Sequence, residues 1–105
     1  MGQPRGAYAP VPTPLDRDLC FDADAQAAHL RWLRSEGLDG ALILGTNGEF
    51  PSFSLDERGA VAEAAAEAES GLDLILGVGA CAVPEALEMA DTAASLGYGS
   101  ILCPP

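Results

Sequence analysis

Four short apolar runs divide the sequence, and an amphipathic stretch lies between each pair of neighbouring runs. The runs cover residues 7–11, 40–44, 72–78 and 100–103. The second and third contain the continuous stretches ALIL and LILGV rather than an alternation of apolar and polar residues. Strands that are covered on both faces have this pattern, which favours a parallel sheet.

The first amphipathic stretch predicts a helix over residues 24–36. Asp22 or Asp24 can accept hydrogen bonds from the free N–H groups of its first turn, and Gly37 suits a left-handed end. The residues that we expect to face inward recur at helical spacing. They are Ala27, Leu30 and Leu33.

The other two stretches predict helices with clear starts. Residues 54–57, Ser-Leu-Asp-Glu, form a capping box, in which the serine and glutamate side chains each bond the other residue's backbone N–H. Gly71 is the expected end of that helix. Pro84 takes the first position of the next helix, and Gly97 ends it. The residues of the second helix that we expect to face inward are Val61, Ala64, Ala65 and Ala68.

The order β-α-β-α-β-α-β predicts an α/β fold with parallel strands, because crossovers of this kind are right-handed. Either a doubly wound sheet or a (β/α)8 barrel is built from such units. A barrel needs about 250 residues, so the 105 residues correspond to its N-terminal half, the first three and a half units. The last apolar run is followed at once by the end of the chain. We therefore interpret residues 1–105 as one partial barrel domain of a longer protein.

The charge balance narrows the choice of partners. Sixteen carboxylates against five basic residues give a formal net charge of -11. All five basic residues are arginines, and lysine is absent. A strongly acidic surface repels the phosphate backbone and anionic lipids, so we expect neither nucleic acid nor a membrane as a partner.

The cysteines and the start of the chain bear on its location. Cys20, Cys81 and Cys103 are odd in number and widely spaced, which suits neither a disulfide framework nor a zinc site. The first residues lack the apolar core of a signal peptide, and no apolar run approaches the roughly 20 residues that span a bilayer. These features predict a cytoplasmic protein.

Candidate chemistry lies in the loops that follow the strands, because parallel α/β folds bind ligands there. The four loops begin with residues 13–14, 45–49, 77–81 and 103–105. The second, Gly-Thr-Asn-Gly-Glu, is the richest in polar groups. We predict that Thr46 and Asn47 follow the second strand, that the amides of residues 47–49 face an open cavity and hold a carboxylate, and that Glu49 anchors the loop. A tight turn with no ligand is the simpler interpretation.

A rival interpretation rests on the third loop. Residues 77–82 fit G-x-G-x-x-A between a strand and a helix, the outline of a dinucleotide-binding fingerprint. That fingerprint expects an acidic residue near the end of the next strand. Here residues 101–105 read Ile-Leu-Cys-Pro-Pro, so the match is weak.

The remaining reactive residue types have structural interpretations. His29 is the only histidine and has no second imidazole or cysteine pair near it in sequence, so we predict no metal and no cofactor. Cys81 and Cys103 have no histidine placed to activate them, and we expect them to be small apolar filler. Trp32 is expected to pack rather than to bind a ligand.

Residues 45–58, GTNGEFPSFSLDER, resemble a known family motif that opens with G-[TS]-[TSN]-G-E and continues, a few residues later, with a Ser/Thr-Leu pair and an acidic residue followed by Arg. It is the motif of the family of dihydrodipicolinate synthase and N-acetylneuraminate lyase. Asn47 and the stretch Glu-Phe-Pro at residues 49–51 are most similar to the 4-hydroxy-2-oxoglutarate aldolase branch of that family. Residues 9–15, 36–44, 75–80 and 96–105 are similar to other parts of that family in the same order.

The resemblance implies a Schiff-base lyase with a barrel fold and no metal. Family members bind pyruvate or another 2-oxo acid on a lysine, and a tyrosine shuttles protons. The resemblance places Thr46 in the hydroxyl relay to that tyrosine, and Asn47 with the neighbouring Gly48 amide on the carboxylate of the 2-oxo acid. It places the lysine, the shuttle tyrosine and a second relay tyrosine from a neighbouring subunit beyond Pro105, so Tyr8 and Tyr98 match neither of these tyrosines. It also implies a homo-oligomer, a tetramer, for the whole protein.

Two hypotheses from different classes follow. The first is a lyase of 2-oxo acids in the longer protein, with 4-hydroxy-2-oxoglutarate cleavage ahead of dihydrodipicolinate synthesis and with residues 1–105 inactive alone. The alternative is a non-catalytic α/β binding module of 105 residues.

Overall fold

Four strands alternate with three helices in the structure, a computed structural model that describes residues 5–79 and 82–103. The strands are β1 (Tyr8–Pro10), β2 (Gly40–Ile43), β3 (Asp73–Gly77) and β4 (Ser100–Leu102). The helices are α1 (Ala23–Ser35), α2 (Leu55–Glu67) and α3 (Val83–Leu96). Two single 3-10 turns, Thr46–Gly48 and Phe50–Ser52, lie between β2 and α2. The predicted order of elements is confirmed.

All four strands are parallel, and they lie side by side in chain order, β1-β2-β3-β4. A doubly wound sheet would reverse the strand order at a switch point. A barrel instead adds each new strand beside the previous one. The sequential order therefore confirms the partial barrel that the sequence predicts.

The helices form one layer against one face of the sheet, with α1 packed on α2 and α2 on α3. β2 contributes Ala41 and Ile43 to this core, and β3 contributes Leu76. The buried helical residues are Leu30, Leu33, Val61, Ala62, Ala65, Met89 and Ala93. Ala62, which the sequence did not single out, is fully buried, whereas Ala64 is half-buried.

The other face of the sheet is only partly covered. Successive residues of a strand point to opposite faces, so Leu42, Ile75 and Leu102 share the face away from the helices, as their register indicates. Leu42 and Ile75 are half-buried and Leu102 is exposed. The sequence predicts that both faces of the sheet are covered. Among the described residues, that cover is found only on the face against the helices.

The helix starts follow the sequence signals. Asp22, not Asp24, caps α1, because its carboxylate accepts the N–H of Ala25 at 3.0 Å. At α2 both bonds of the capping box form, from Glu57 N to Ser54 Oγ at 3.2 Å and from Ser54 N to a Glu57 carboxylate oxygen at 2.8 Å. α3 begins at Val83, one residue before Pro84.

Two of the three predicted helix ends are confirmed. Gly37 and Gly97 follow α1 and α3 with φ of 93° and 81°. α2 ends at Glu67, earlier than the predicted Gly71. The carbonyl oxygen of Ala68 accepts a hydrogen bond from the Arg31 guanidinium of α1 at 3.2 Å, so a tertiary donor takes the place of a further helical turn. No helix within the described ranges is long and apolar enough to cross a bilayer.

Candidate functional site

The strand-end loop starts from an unusual backbone conformation. Leu44, the residue after β2, has a φ of 58° and is 1% exposed. A bulky residue rarely adopts this left-handed conformation, which costs energy and recurs at functional sites. Its carbonyl oxygen lies 2.1 Å from the point where a Cβ of Gly77 would be. The end of β2 therefore turns sharply, and only a glycine on β3 leaves room for it.

Thr46 and Asn47 lie on the turn that follows, as predicted, with both residues exposed. The turn is closed by hydrogen bonds from Gly48 N to Gly45 O and from Glu49 N to Thr46 O, both at 3.0 Å. The prediction that these two amides face an open cavity is therefore wrong, because the turn itself uses them. Glu49 links this turn to the second 3-10 turn, Phe50–Ser52. Its backbone is left-handed, with a φ of 56°, and Glu49 is exposed.

The loop after β1 holds the turn from one side. The hydroxyl of Thr13 donates to the Gly48 carbonyl at 2.7 Å. A Cβ on Gly48 would lie 3.2 Å from both the Thr13 hydroxyl and the carbonyl of Val11. Gly48 is therefore buried against the first loop, and its peptide groups support the turn. The sequence placed Thr13 at the end of the first strand but gave it no role. The Thr-Pro pair at residues 13–14 was the signal that could have indicated one.

Arg58, in the first part of α2, holds the loops from the other side. Its Nε donates to the Phe53 carbonyl at 3.0 Å, and its Nη1 donates to the Gly79 carbonyl at 2.8 Å. The guanidinium carbon lies 5.5 Å from the centre of the Phe50 ring. Arg58 ends the motif of residues 45–58, but sequence reasoning assigned it no task, because its carbonyl partners are 5 and 21 residues away.

The third loop has a packing explanation. Gly77 is a glycine because the carbonyl of Leu44, the residue after β2, approaches it closely. The Gly79 carbonyl accepts a hydrogen bond from Arg58. Ala80 and Cys81 lie outside the described residues. The two glycines of the dinucleotide fingerprint thus serve the contact between loops, which leaves that interpretation without structural support.

Neither tyrosine of the chain lies beside this loop. The Tyr8 hydroxyl donates to the Asp73 carboxylate at the amino ends of β1 and β3, and this hydrogen bond raises the pKa of Tyr8. Tyr98 is buried and donates to the Ala62 carbonyl at 2.7 Å. Burial raises the pKa of its hydroxyl. Both tyrosines have structural partners away from Thr46.

The other residues considered from sequence are peripheral. Trp32 is 55% exposed and stacks on His29, with ring centroids 5.9 Å apart, so its expected packing is a surface contact on α1. Cys103 is exposed, which contradicts its expected role as apolar filler, because it follows the edge strand β4. Met1 and residues 104–105 lie outside the described part of the chain. Among the described residues, no cluster of three or more His, Cys, Asp or Glu could hold a metal ion.

Two concave regions of the described chain lie away from the loop. One, of about 260 Å³, is near the amino end of β3 and is lined in part by Asp73 and Tyr98. The other, of about 420 Å³, lies between α2 and α3 and carries Asp56, Glu63 and Glu88. Neither is lined by Thr46 or Asn47, and both of these residues are exposed.

Four parallel strands in chain order, with a polar turn after the second, define the first half of a parallel (β/α) barrel. The model of the dihydrodipicolinate synthetase family matches residues 3–104, and the chain belongs to this family. An uncharacterized DapA-like lyase of Halobacterium salinarum is 38% identical over 98 residues, which is 92% of this chain and 32% of the relative.

Solved structures agree with the assignment. Proteus mirabilis N-acetylneuraminate lyase superposes with a TM-score of 0.91 at 32% identity, over 97% of this chain and 35% of that one. YagE, a prophage protein of the dihydrodipicolinic acid synthase family from E. coli K12, was solved in complex with pyruvate. It superposes with a TM-score of 0.88 at 28% identity, over 93% of this chain and 34% of that one. The chain thus spans about a third of the length of the proteins that it matches.

Proposed function

We propose that this chain provides the carboxylate-binding loop of a lyase that acts on pyruvate or a related 2-oxo acid. The chain belongs to the dihydrodipicolinate synthetase family, and a relative of similar fold has been solved with pyruvate bound. Because the chain spans about a third of such proteins, the activity, the substrate and an oligomeric assembly of the whole protein all belong to the proposal.

The observation that carries the proposal is the exposed pair Thr46 and Asn47 on a well-held turn. Hydrogen bonds within the turn and from Thr13 fix its backbone, so the two side chains extend from a preorganised support. The Asn47 amide donates to a carboxylate, while the Thr46 hydroxyl both donates and accepts and can pass a proton. Gly48 contributes by supporting this turn with its peptide groups.

The covalent step requires an amine that this chain does not supply from a side chain. A 2-oxo acid forms a Schiff base when a primary amine attacks its carbonyl carbon and water leaves, and the imine then accepts the electrons of the cleaved carbon–carbon bond. The sequence contains no lysine. We therefore assign the lysine and the shuttle tyrosine to the longer protein, with 4-hydroxy-2-oxoglutarate cleavage ahead of dihydrodipicolinate synthesis.

Titration of the 15N-labelled chain with pyruvate, followed by NMR, tests the binding role of the loop. We expect shifts concentrated at Thr46 and Asn47, and little response to methyl pyruvate, which lacks the carboxylate. Asn47→Asp should weaken binding by about tenfold or more, because it places like charges together. Ser95→Asp adds the same charge on an exposed part of α3 and should leave binding unchanged.

Two outcomes would contradict the proposal. Shifts scattered over the helices would indicate nonspecific association. An equal response to the ester and the acid would show that the loop does not recognise the carboxylate.

A further inference from the structure

We infer that Arg58 is a positioning residue for the Thr46–Gly48 turn: it ties the loop after β2 to the loop after β3. Its importance for a 2-oxo acid rests on the proposed function, whereas its effect on the turn does not. The inference concerns how the loop is held in place, and it assigns Arg58 no contact with the substrate.

The contacts of Arg58 join three parts of the chain. Residue Arg58 is 9% exposed, and its described partners are the carbonyls of Phe53 and Gly79 and the ring of Phe50. A buried charge is costly unless hydrogen bonds satisfy it. A planar guanidinium has several donors in fixed directions, so one side chain bonds carbonyls on two different loops. A shorter or single-donor side chain cannot make both bonds in this geometry.

A continuous series of backbone bonds connects these contacts to the turn. Phe53 N donates to Phe50 O at 3.2 Å, and Ser52 N donates to Glu49 O at 2.9 Å. Glu49 N in turn donates to Thr46 O at 3.0 Å. By holding both ends of residues 50–53, Arg58 fixes Glu49 in its left-handed conformation and so closes the turn that presents Asn47.

Amide hydrogen exchange in the absence of ligand tests this link directly. In Arg58→Met we expect the amides of Gly48 and Glu49 to exchange about tenfold faster or more, because the turn opens locally. Arg58→Lys keeps the charge and one bond, and should restore part of the protection. Arg31→Met is the matched control, since the Arg31 guanidinium also donates to a backbone carbonyl, that of Ala68, but at the opposite end of α2.

The amides of β2 and β3 report whether each variant is folded. If Arg58→Met retains their protection and exchanges at Gly48 and Glu49 as the wild type does, the inference is overturned. If Arg58→Met does not fold, Arg58→Lys decides: wild-type exchange at both amides would overturn the inference, and faster exchange there alone would support it. Arg31→Met should leave both amides unchanged, and an equal effect from that variant would also count against a specific role.

Pyruvate titration of the same variants separates this inference from the proposed function. We expect the affinity of Arg58→Met for pyruvate to fall and Arg58→Lys to recover part of it. If the wild-type chain binds no pyruvate, the proposed function fails while the exchange data still decide the role of Arg58. If pyruvate binds equally well to the wild type and to a folded Arg58→Met, the importance of Arg58 for the 2-oxo acid is contradicted, the exchange data still decide its effect on the turn, and the proposed function stands.

Discussion

Gly77 and Leu44 show how a single atom sets the geometry beside the candidate site. Leu44 takes a left-handed conformation that a bulky residue rarely adopts. Its carbonyl then approaches β3 so closely that a Cβ on Gly77 would lie 2.1 Å from it. Since the clashing atom belongs to the backbone, no change of side-chain rotamer can relieve the overlap. The turn at residues 46–48 begins two residues after Leu44.

We predict that Gly77→Ala lowers the free energy of unfolding by about 1–3 kcal/mol, the usual cost of inserting a methyl group into a packed region. Gly59→Ala is the matched control. Gly59 lies inside α2 with nothing within 4 Å of an added Cβ, so alanine there should stabilise the chain by about 0.5–1 kcal/mol. Urea denaturation followed by circular dichroism measures both changes. Stabilisation by both substitutions would contradict the close approach at Leu44.

At the scale of one element, the start of α2 combines a local signal with an electrostatic effect. Ser54 and Glu57 cap each other's backbone within four residues. The hydrogen bond from the Ser54 backbone lowers the pKa of Glu57, because it favours the charged carboxylate. A lowered pKa in the folded state means that the ionised carboxylate stabilises the fold above its unfolded pKa. This contribution is lost as the pH falls through the folded pKa.

We expect Glu57→Gln to lower the Tm at neutral pH, with the difference from the wild type disappearing in acid. Glutamine keeps an acceptor for the Ser54 N–H but carries no charge, and the protonated wild type resembles it. Ser54→Ala should instead cost about 1 kcal/mol, and most of that loss should persist in acid, because the serine hydroxyl does not titrate. Thermal melts at pH values above and below the ordinary range of a glutamate measure both effects. A Tm difference between Glu57→Gln and the wild type that is independent of pH would contradict the assigned role of the charge.

For the whole molecule, the main feature is exposed apolar surface at the edge strand β4 and at α3. Ile101 and Leu102 of the edge strand β4 are 48% and 46% exposed. Val83 and Leu87 of α3 are also exposed. Unpaired strand edges with apolar side chains promote association. In a closed barrel, further strands would cover this edge.

The whole chain also limits what chemistry the sequence can perform by itself. We predict that residues 1–105 form no imine with pyruvate at any side chain, because lysine is absent and imine formation needs a primary amine. Borohydride trapping followed by mass spectrometry of peptides tests this prediction. A chain acetylated at its N-terminus is the control and should show no adduct. A specific adduct within that acetylated chain would contradict the assignment of the Schiff-base amine to another part of the protein.

Local patterns in the sequence were sufficient to predict the elements and the position of the loop. The capping box, the glycines after α1 and α3, and the continuous apolar runs all act over a few neighbouring residues, so they can be identified without tertiary contacts. The motif of residues 45–58 likewise placed Thr46 and Asn47 at the carboxyl end of β2. The carboxylate-binding role of these two residues remains a prediction.

The strand order that confirms the predicted barrel came from the tertiary structure, because a barrel and a doubly wound sheet share the same order of elements and differ in which strands lie side by side. The same holds for the supports of the loop. Thr13 bonds a carbonyl 35 residues away and Arg58 one 21 residues away. The early end of α2 depends on Arg31 in the same way. The sequence by itself determined the elements and the candidate loop, since those depend on neighbouring residues. The supports of the loop depend on distant groups that only folding brings together.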